Sequence, residues 1–191
     1  MAEQQPYTVV REESEWELRS YPPHVIAETT VTGVSFEDAG NRAFGRLVGY
    51  IKGDNVSRQS IAMTAPVVQG RSPQTSEKIA MTAPVVQTGD DDEGFVVAFV
   101  LPAEIKEADA PVPTDSRVTI RTVPERLVAA TTFSGRWTEE SYASHRDDLF
   151  AGVREAGFEP VGEPQFARFN APFIPWFLRR NEVLIDVAPA G

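Results

Sequence analysis

Two stretches of the chain carry apolar residues at the three- and four-residue spacing that is typical of α-helices. The first lies between a suitable N-cap, Ser35, and a stop at Gly53, and its apolar face consists of Phe36, Ala39, Ala43, Leu47 and Tyr50 or Ile51. The second lies between Thr138 and Gly157, and one face carries Tyr142, His145 or Arg146, Leu149 and Val153. The pattern therefore predicts two amphipathic helices.

The other apolar segments are short and rich in β-branched and aromatic residues, which predicts strands. These segments are 7–19, 25–31, 61–69, 79–87, 95–101, 117–122, 127–133, 166–170 and 183–187. The intervening stretches 88–94, 102–116 and 171–180 are expected to be loops. Antiparallel strands with helices on one side of them give the α+β fold class.

One sequence repeat is exact: residues 61–69 recur as residues 79–87. Two identical β segments joined by a short polar linker predict a hairpin or two neighbouring strands, in which Met63 and Met81 occupy equivalent positions. Pro66 and Pro84 lack an amide donor, so we expect them at strand ends, strand edges or bulges.

A second, weaker repeat aligns residues 19–33 with residues 121–135 without a gap. Each copy is followed by a predicted helix and then by further strands. We therefore expect one domain over residues 1–191, built from two pseudo-symmetric ββαββ halves at about 7–88 and 95–187, with a groove between them.

The formal net charge is −10, from 18 Lys and Arg against 28 Asp and Glu. This charge disfavours nucleic acid as a partner, because phosphate contacts require clustered Lys and Arg. The lysines are few: Lys52, Lys78 and Lys106. Sparse lysine with abundant carboxylates is typical of a protein from a salt-rich host, and equally of a high-GC genome with one acidic loop.

The inventory of side chains excludes several kinds of site. There is no cysteine, which excludes thiolate chemistry, and two histidines disfavour a multi-histidine metal site. The sequence contains no nucleophile motif and no Gly-rich phosphate loop, so no catalytic set is recognised. The N-terminus lacks a signal-peptide pattern and no apolar run has transmembrane length, so we expect a cytoplasmic protein. As a separate expectation, the protein is a monomer or a weak oligomer.

Several motifs resemble the SOUL family of haem-binding proteins. They are Tyr21-Pro22, the helix pattern from Ala39 to Asn55, Met63-Thr64-Ala65-Pro66-Val67, Arg168-Phe169-Asn170-Ala171-Pro172-Phe173 and Arg179-Arg180-Asn181-Glu182-Val183. The resemblance extends from about Tyr7 to Val187. It implies a distorted antiparallel β-barrel flanked by two helices, similar in fold to gyrase-inhibitor-like domains.

The resemblance also implies an apolar cleft for haem, or for a metal-free porphyrin, between the first helix and the segment 171–180. The helix positions carried over form one stripe, Asn41, Phe44, Gly45 and Val48, and Gly49 would also let a flat ligand approach. The loop positions are Phe173, Ile174, Trp176 and Phe177. Guanidinium groups bind carboxylates bidentately, so the candidates for the propionates are Arg42, Arg46, Arg179 and Arg180.

The candidate iron ligands are His145, His24, Met63 and Met81, since imidazole and thioether groups both bind haem iron. Each has an ordinary structural explanation as well, as a surface or packed histidine or as a core methionine. Some family members carry His before the Tyr of Tyr-Pro, and this chain has Ser20 there. The preferred metal ligand is His145.

Three functions are compatible with these residues. The first is a carrier or buffer that binds haem or a related tetrapyrrole by burying it in an apolar cleft. The second is a tetrapyrrole-modifying enzyme that removes iron or opens the ring. The third is a binding module for other planar apolar molecules. The sparse set of iron ligands favours the first and the third.

Overall fold

The computed structural model describes residues 3–57, 78–90, 94–170 and 174–190. It contains two α-helices, α1 (Phe36–Lys52) and α2 (Glu139–Glu155), and a 3-10 helix at Trp176–Leu178. The strands in these ranges are β1 (Glu3–Gln4), β2 (Thr8–Glu12), β3 (Glu17–Tyr21), β4 (His24–Val31), β5 (Asn55–Val56), β6 (Thr82–Ala83), β7 (Val85–Asp90), β8 (Gly94–Val100), β9 (Val112–Pro113), β10 (Thr119–Val123), β11 (Arg126–Phe133), β12 (Phe158–Arg168) and β13 (Asn181–Pro189).

Both helices begin at the residues that the sequence indicates. The Ser35 side chain accepts a hydrogen bond from the Asp38 amide, and the Thr138 side chain accepts one from the Ser141 amide. At the other ends, Gly53 and Gly157 adopt positive φ, of 126° and 83°, which favours glycine. These local hydrogen bonds and turns therefore set the helix bounds.

In the described part of the chain, nine strands form one antiparallel sheet in the order β10-β4-β8-β7-β12-β13-β11-β3-β2. This confirms the α+β class with two helices and a large antiparallel sheet. The predicted barrel is not closed, because β10 and β2 are the two edges of the sheet and each pairs with one strand in the described part of the chain. Two short pairs, β1 with β6 and β5 with β9, lie outside this sheet.

The two segments of the weaker repeat lie side by side. Strand β4 pairs with β10, and β3 pairs with β11, in one continuous register in which His24 faces Val123 and Tyr21 faces Arg126. The chain between β3 and β4 is Pro22-Pro23, which cannot continue a ladder of amide donors. The proline pair therefore divides one long strand into two.

Both helices pack on one face of the sheet, where they form the main core. Side chains of β4 alternate: Val25, Ala27 and Val31 belong to this core, whereas Ile26 belongs to a separate apolar cluster with Ala98 and Val100. Another cluster on the face away from the helices contains Tyr21, Val128, Ala130, Ala167 and Leu184. In the described residues, no helix is long and apolar enough to cross a membrane.

Candidate functional site

The segment before β13 exposes an unusual amount of apolar surface. Its 3-10 helix, hereafter the apolar turn, consists of Trp176, Phe177 and Leu178, which are 48%, 58% and 64% exposed. The rings of Trp176 and Phe177 contact each other edge to face, with centroids 5.6 Å apart. Contiguous exposed apolar side chains of this size mark a binding surface.

Three arginines contact Trp137 or Trp176. We call them the arginine cluster: Arg136, Arg168 and Arg179. The guanidinium carbons of Arg179 and Arg168 lie 4.2 and 4.9 Å from the centroid of the Trp137 ring. The guanidinium carbon of Arg136 lies 5.5 Å from the Trp176 ring. Cation–π contacts hold the three positive groups in place beside an apolar surface.

Arg168 is a buried cation without a carboxylate partner among the described residues. It is 7% exposed, its Nη2 donates to Gln87 Oε1 at 3.2 Å, and its Nε has no hydrogen-bond partner. Burial lowers the pKa of Arg168 to about 10, with the negative charge of Glu37 opposing that change. A carboxylate brought to this point would give Arg168 the direct ion pair that it lacks among the described residues.

The start of α1 adjoins the arginine cluster. A Cβ added to Gly40 would collide with the Arg168 guanidinium, so the absence of a side chain at Gly40 makes room for it. Asn41 follows directly and is exposed. The structure thus places Gly40 of α1 beside Arg168, which in turn contacts Trp137, and Asn41 is the member of the predicted helix stripe nearest in sequence to this contact.

The rest of the helix stripe continues away from that point. Phe44 is 38% exposed and its ring lies edge-on to buried Phe99, with the centroids 5.6 Å apart. Arg42 and Gly45 are exposed, Val48 is half-buried, and a Cβ at Gly45 would meet open space. Gly49 instead faces the Asp54 carboxylate, and Arg46 donates to the Thr30 carbonyl at 3.1 Å.

Several predicted site residues are not brought to the apolar turn. Gly45 lines a separate small cleft with Asp115 and Arg117. Met81 is 39% exposed and follows Ile79, whose amide bonds to Ile51 at the far end of α1. Met63 and Phe173 lie outside the described residues, as do the first copy of the exact repeat and Pro66. Pro84 separates β6 from β7, at a strand end as expected.

Arg180 forms an ion pair with a buried residue of the fold. Its guanidinium pairs with Glu182, which is fully buried and also receives two bonds from Arg19. Burial alone would lower the pKa of Arg19, but the hydrogen bond and the charge of Glu182 outweigh burial and raise it. Of the two neighbouring arginines before β13, Arg179 alone faces the Trp137 ring, while its Nε donates to the Ile174 carbonyl at 2.8 Å.

His145 lies in a different cleft. Its ring stacks on Phe133 with the centroids 3.8 Å apart, and its Nδ1 donates to the Ser141 carbonyl at 2.7 Å. The cleft, of about 640 Å³, lies between α2 and the β2–β3 hairpin and includes Trp16 but no residue of the apolar turn or the arginine cluster. Among the described residues, no group of three or more His, Asp or Glu side chains could hold a metal ion.

His24 lies on the face of the sheet away from the helices, and its Nδ1 donates to the Pro22 carbonyl at 3.0 Å. Burial lowers the pKa of His24, and nearby Arg126 and Arg121 lower it further.

The unfolded chain therefore binds the proton on His24 more tightly than the folded protein does, so His24 should lower the free energy of unfolding as pH falls below about 6.5. We expect the stability advantage of a His24→Gln variant over the parent to grow between pH 7 and pH 5 in urea unfolding; an advantage independent of pH would contradict this.

Sequence reasoning missed Trp137 and Arg136 and treated Arg168 as part of a motif rather than of a site. The available signal was the clustering of Arg136-Trp137 immediately before the Thr138 cap, which places both residues at a helix start. The spatial link to Arg168 and Arg179 depends on strand pairing: Phe133 faces Asn181, and Arg168 faces Asn181 from the other side. Asn181 Oδ1 also accepts from Trp137 Nε1 at 2.7 Å.

Comparison with known proteins gives a consistent result. A solved structure described as a hydrolase from Listeria innocua has a TM-score of 0.60 and 12% identity over 94% of each chain, and the EcmrR C-terminal domain has a TM-score of 0.57 and 11% identity over 96% of this chain and 99% of that one. These likenesses concern the fold alone.

Sequence relatives and a family model identify the family to which the chain belongs. Heme-binding protein 1 of Xenopus tropicalis is 27% identical over 177 residues, covering 87% of this chain and 84% of that protein. Heme-binding protein 2 of Mus musculus is 25% identical over 180 residues, covering 90% and 81%. The family model described as SOUL heme-binding protein matches residues 2–75 and 70–186. The chain therefore belongs to the SOUL heme-binding protein family.

Proposed function

We propose that this protein binds haem or a related tetrapyrrole on the surface formed by the apolar turn, the arginine cluster and the start of α1. One observation carries the proposal: Arg168, a buried cation without a carboxylate partner among the described residues, contacts half-buried Trp137, and the neighbouring Arg136 contacts the exposed Trp176 ring. A porphyrin complements both the cation and the apolar surface, because it is a flat apolar ring that bears carboxylates. Its face packs on Trp176 and Phe177, and a propionate pairs with Arg168 or Arg179.

This surface binds mainly through the ring and the propionates rather than through the iron. Among the described residues, His145 lines the separate cleft beside α2 and stacks on Phe133, and Met81 follows Ile79, whose amide bonds to Ile51 at the far end of α1. A site of this kind holds metal-free porphyrin about as well as haem. Weak ligation suits a carrier or buffer, which must release its cargo, and we assign that role ahead of catalysis.

A titration followed by absorbance tests the proposal. We expect a saturable shift of the Soret band with haem, an affinity within about tenfold for metal-free protoporphyrin, and a spectrum that persists for a day with and without reductant. Decay of the band to metal-free or ring-opened product would instead assign an enzyme. A preference of the protein for planar apolar molecules without carboxylates would assign the third function, a general binding module.

Arg168 is expected to bind ligand at the expense of stability. Replacing Arg168 by Met keeps much of the apolar stem and removes the desolvated charge, so the free energy of unfolding should rise by about 1 kcal/mol. The same change should weaken porphyrin binding by about tenfold or more, through loss of a charge-assisted hydrogen bond. Urea unfolding and the Soret titration measure the two effects; parallel losses of stability and affinity would contradict this role.

We also propose that the two halves are related by a pseudo-twofold axis through the junctions Pro22-Pro23 and Pro124-Glu125. The shared register of β3–β4 against β10–β11 supports this relation. The antiparallel pairs β7–β8 and β12–β13 occupy corresponding places, since β8 pairs with β4 and β13 pairs with β11. We propose that the two halves together form a single domain.

A further inference from the structure

The face of the sheet away from the helices carries a groove that the proposed haem surface does not use. Its volume is about 290 Å³, just below the range of about 300–1,000 Å³ that is typical of sites for small molecules. It is lined by residues of β4, β7, β8 and β10, by Gln5 and Pro124, and at one end by Arg126 of β11, Gln165 of β12 and Asp186 of β13. None of these residues belongs to the apolar turn or to the arginine cluster.

The floor of the groove is apolar. Ile26, Ala98 and Val100 form a small buried cluster there, and half-buried Val123 packs against it. Val96 and Val86 extend the apolar lining along the neighbouring strands. This floor suits an apolar body about the size of a fused pair of aromatic rings.

Within the described part of the chain, two donor atoms at the groove, Gln5 Nε2 and Arg126 Nε, have no hydrogen-bond partner. Gln5 is 6% exposed, and its Nε2 has no hydrogen-bond partner among the described residues. Arg126 donates from Nη1 to Asp186 at 3.0 Å and from Nη2 to Gln165 at 3.1 Å, but its Nε has no partner either. Buried donors of this kind cost free energy, and a ligand acceptor reached by a small rotation of the Gln5 amide would recover it.

The charges around the groove are balanced. Arg126 is paired with Asp186, and Arg121 is paired with Glu28 at 2.9 Å. Each cation therefore already has a carboxylate, in contrast to Arg168 at the haem surface. An uncharged acceptor fits this environment better than a second carboxylate does.

We infer that this groove is a second binding site, for a small, uncharged, largely apolar molecule that bears a carbonyl oxygen. The apolar body lies on Ile26, Ala98 and Val100, and the carbonyl accepts from Gln5. The site is separate from the haem surface in position and in chemistry, so either can be present without the other.

A matched pair of fluorescent probes tests this inference on the whole protein: an acetyl-substituted dimethylaminonaphthalene, and the parent dimethylaminonaphthalene without the carbonyl. The acetyl probe should bind saturably with a blue-shifted emission. Thr88→Trp, on the half-buried rim of the groove, should weaken the binding of both probes at least tenfold. Gln5→Leu, which removes only the donor, should weaken the acetyl probe about tenfold and leave the parent probe unchanged.

The control is Trp176→Ala with Phe177→Ala, which should alter haem binding but neither probe. Gln5→Leu should also raise the midpoint of thermal unfolding, because it removes an unpaired buried donor, and this readout does not depend on Thr88→Trp folding. Absence of saturable binding, equal effects of Gln5→Leu on the two probes, or loss of probe binding in the control variant would each overturn the inference without affecting the haem proposal.

Discussion

Replacing Glu182 by leucine is expected to lower the free energy of unfolding by about 3–5 kcal/mol, because it leaves a buried cation without its main partner. Arg19 is 1% exposed and makes two bonds to Glu182, at 2.7 and 3.2 Å. Its other carboxylate contact, with Glu17, is partly exposed to water and cannot replace that charge. Such a loss is a large part of the stability of an ordinary domain.

The comparison that isolates the buried pair uses urea unfolding of three variants. Glu28→Gln breaks the more exposed Arg121–Glu28 pair and should cost less than about 1 kcal/mol. The double change Arg19→Met with Glu182→Leu removes both charges and should recover at least half of the loss. Equal costs for Glu182→Leu and Glu28→Gln would show that the buried pair does not hold these strands together.

The double variant Trp176→Ala with Phe177→Ala is expected to weaken haem binding by about a hundredfold, since exposed aromatic side chains that a ligand covers contribute most of the binding energy at such surfaces. The free energy of unfolding should change by less than about 0.5 kcal/mol, because both rings are largely exposed. Soret titration and urea unfolding on the same samples measure the two quantities.

The matched control is Val9→Ala with Val10→Ala. These side chains are 40% and 57% exposed, on the edge strand β2. The control therefore removes exposed apolar surface elsewhere on the protein and should leave haem affinity unchanged. Equal affinities in the two double variants would refute a haem site at the apolar turn.

The helices could be predicted from the sequence because their signals are local. Ser35 and Thr138 cap their own first turns, and glycines with positive φ follow the last ones. On α2, Leu149 and Val153 are buried as the helical spacing indicates. Caps and periodicity depend only on residues within one or two turns, so tertiary contacts did not change the predicted helix positions.

Strand β12 was predicted too short for the opposite reason. It begins at Phe158, eight residues before the predicted segment, and passes through Pro160, Gly162 and Pro164. The register shifts between Val161 and Gln165, so this irregular stretch accommodates residues that normally interrupt strands. Only pairing with the long strand β13 reveals it, and pairing is not visible in a single sequence.

The candidate site divides in the same way. The apolar turn and Arg179 could be found by resemblance, because the motif is continuous in sequence. The proximity of Trp137 to Arg168 could not be found in this way, since 31 positions separate them and β11, β12 and β13 bring them together. The structural role of Gly40 becomes apparent only from its contact with Arg168, because the Arg168 guanidinium fills the space that a Cβ at Gly40 would take.

The most direct test of the haem surface uses the three tryptophans, Trp16, Trp137 and Trp176, as reporters. Nitrogen-labelled protein, with the indole resonances assigned by Trp→Phe variants, is titrated with metal-free protoporphyrin and followed by proton–nitrogen correlation spectra. The indole signals of Trp137 and Trp176 should shift or broaden saturably, while that of Trp16, in the cleft beside α2, stays in place. Perturbation of Trp16 alone, or none of the three at saturation, would contradict a tetrapyrrole site at the apolar turn and the arginine cluster.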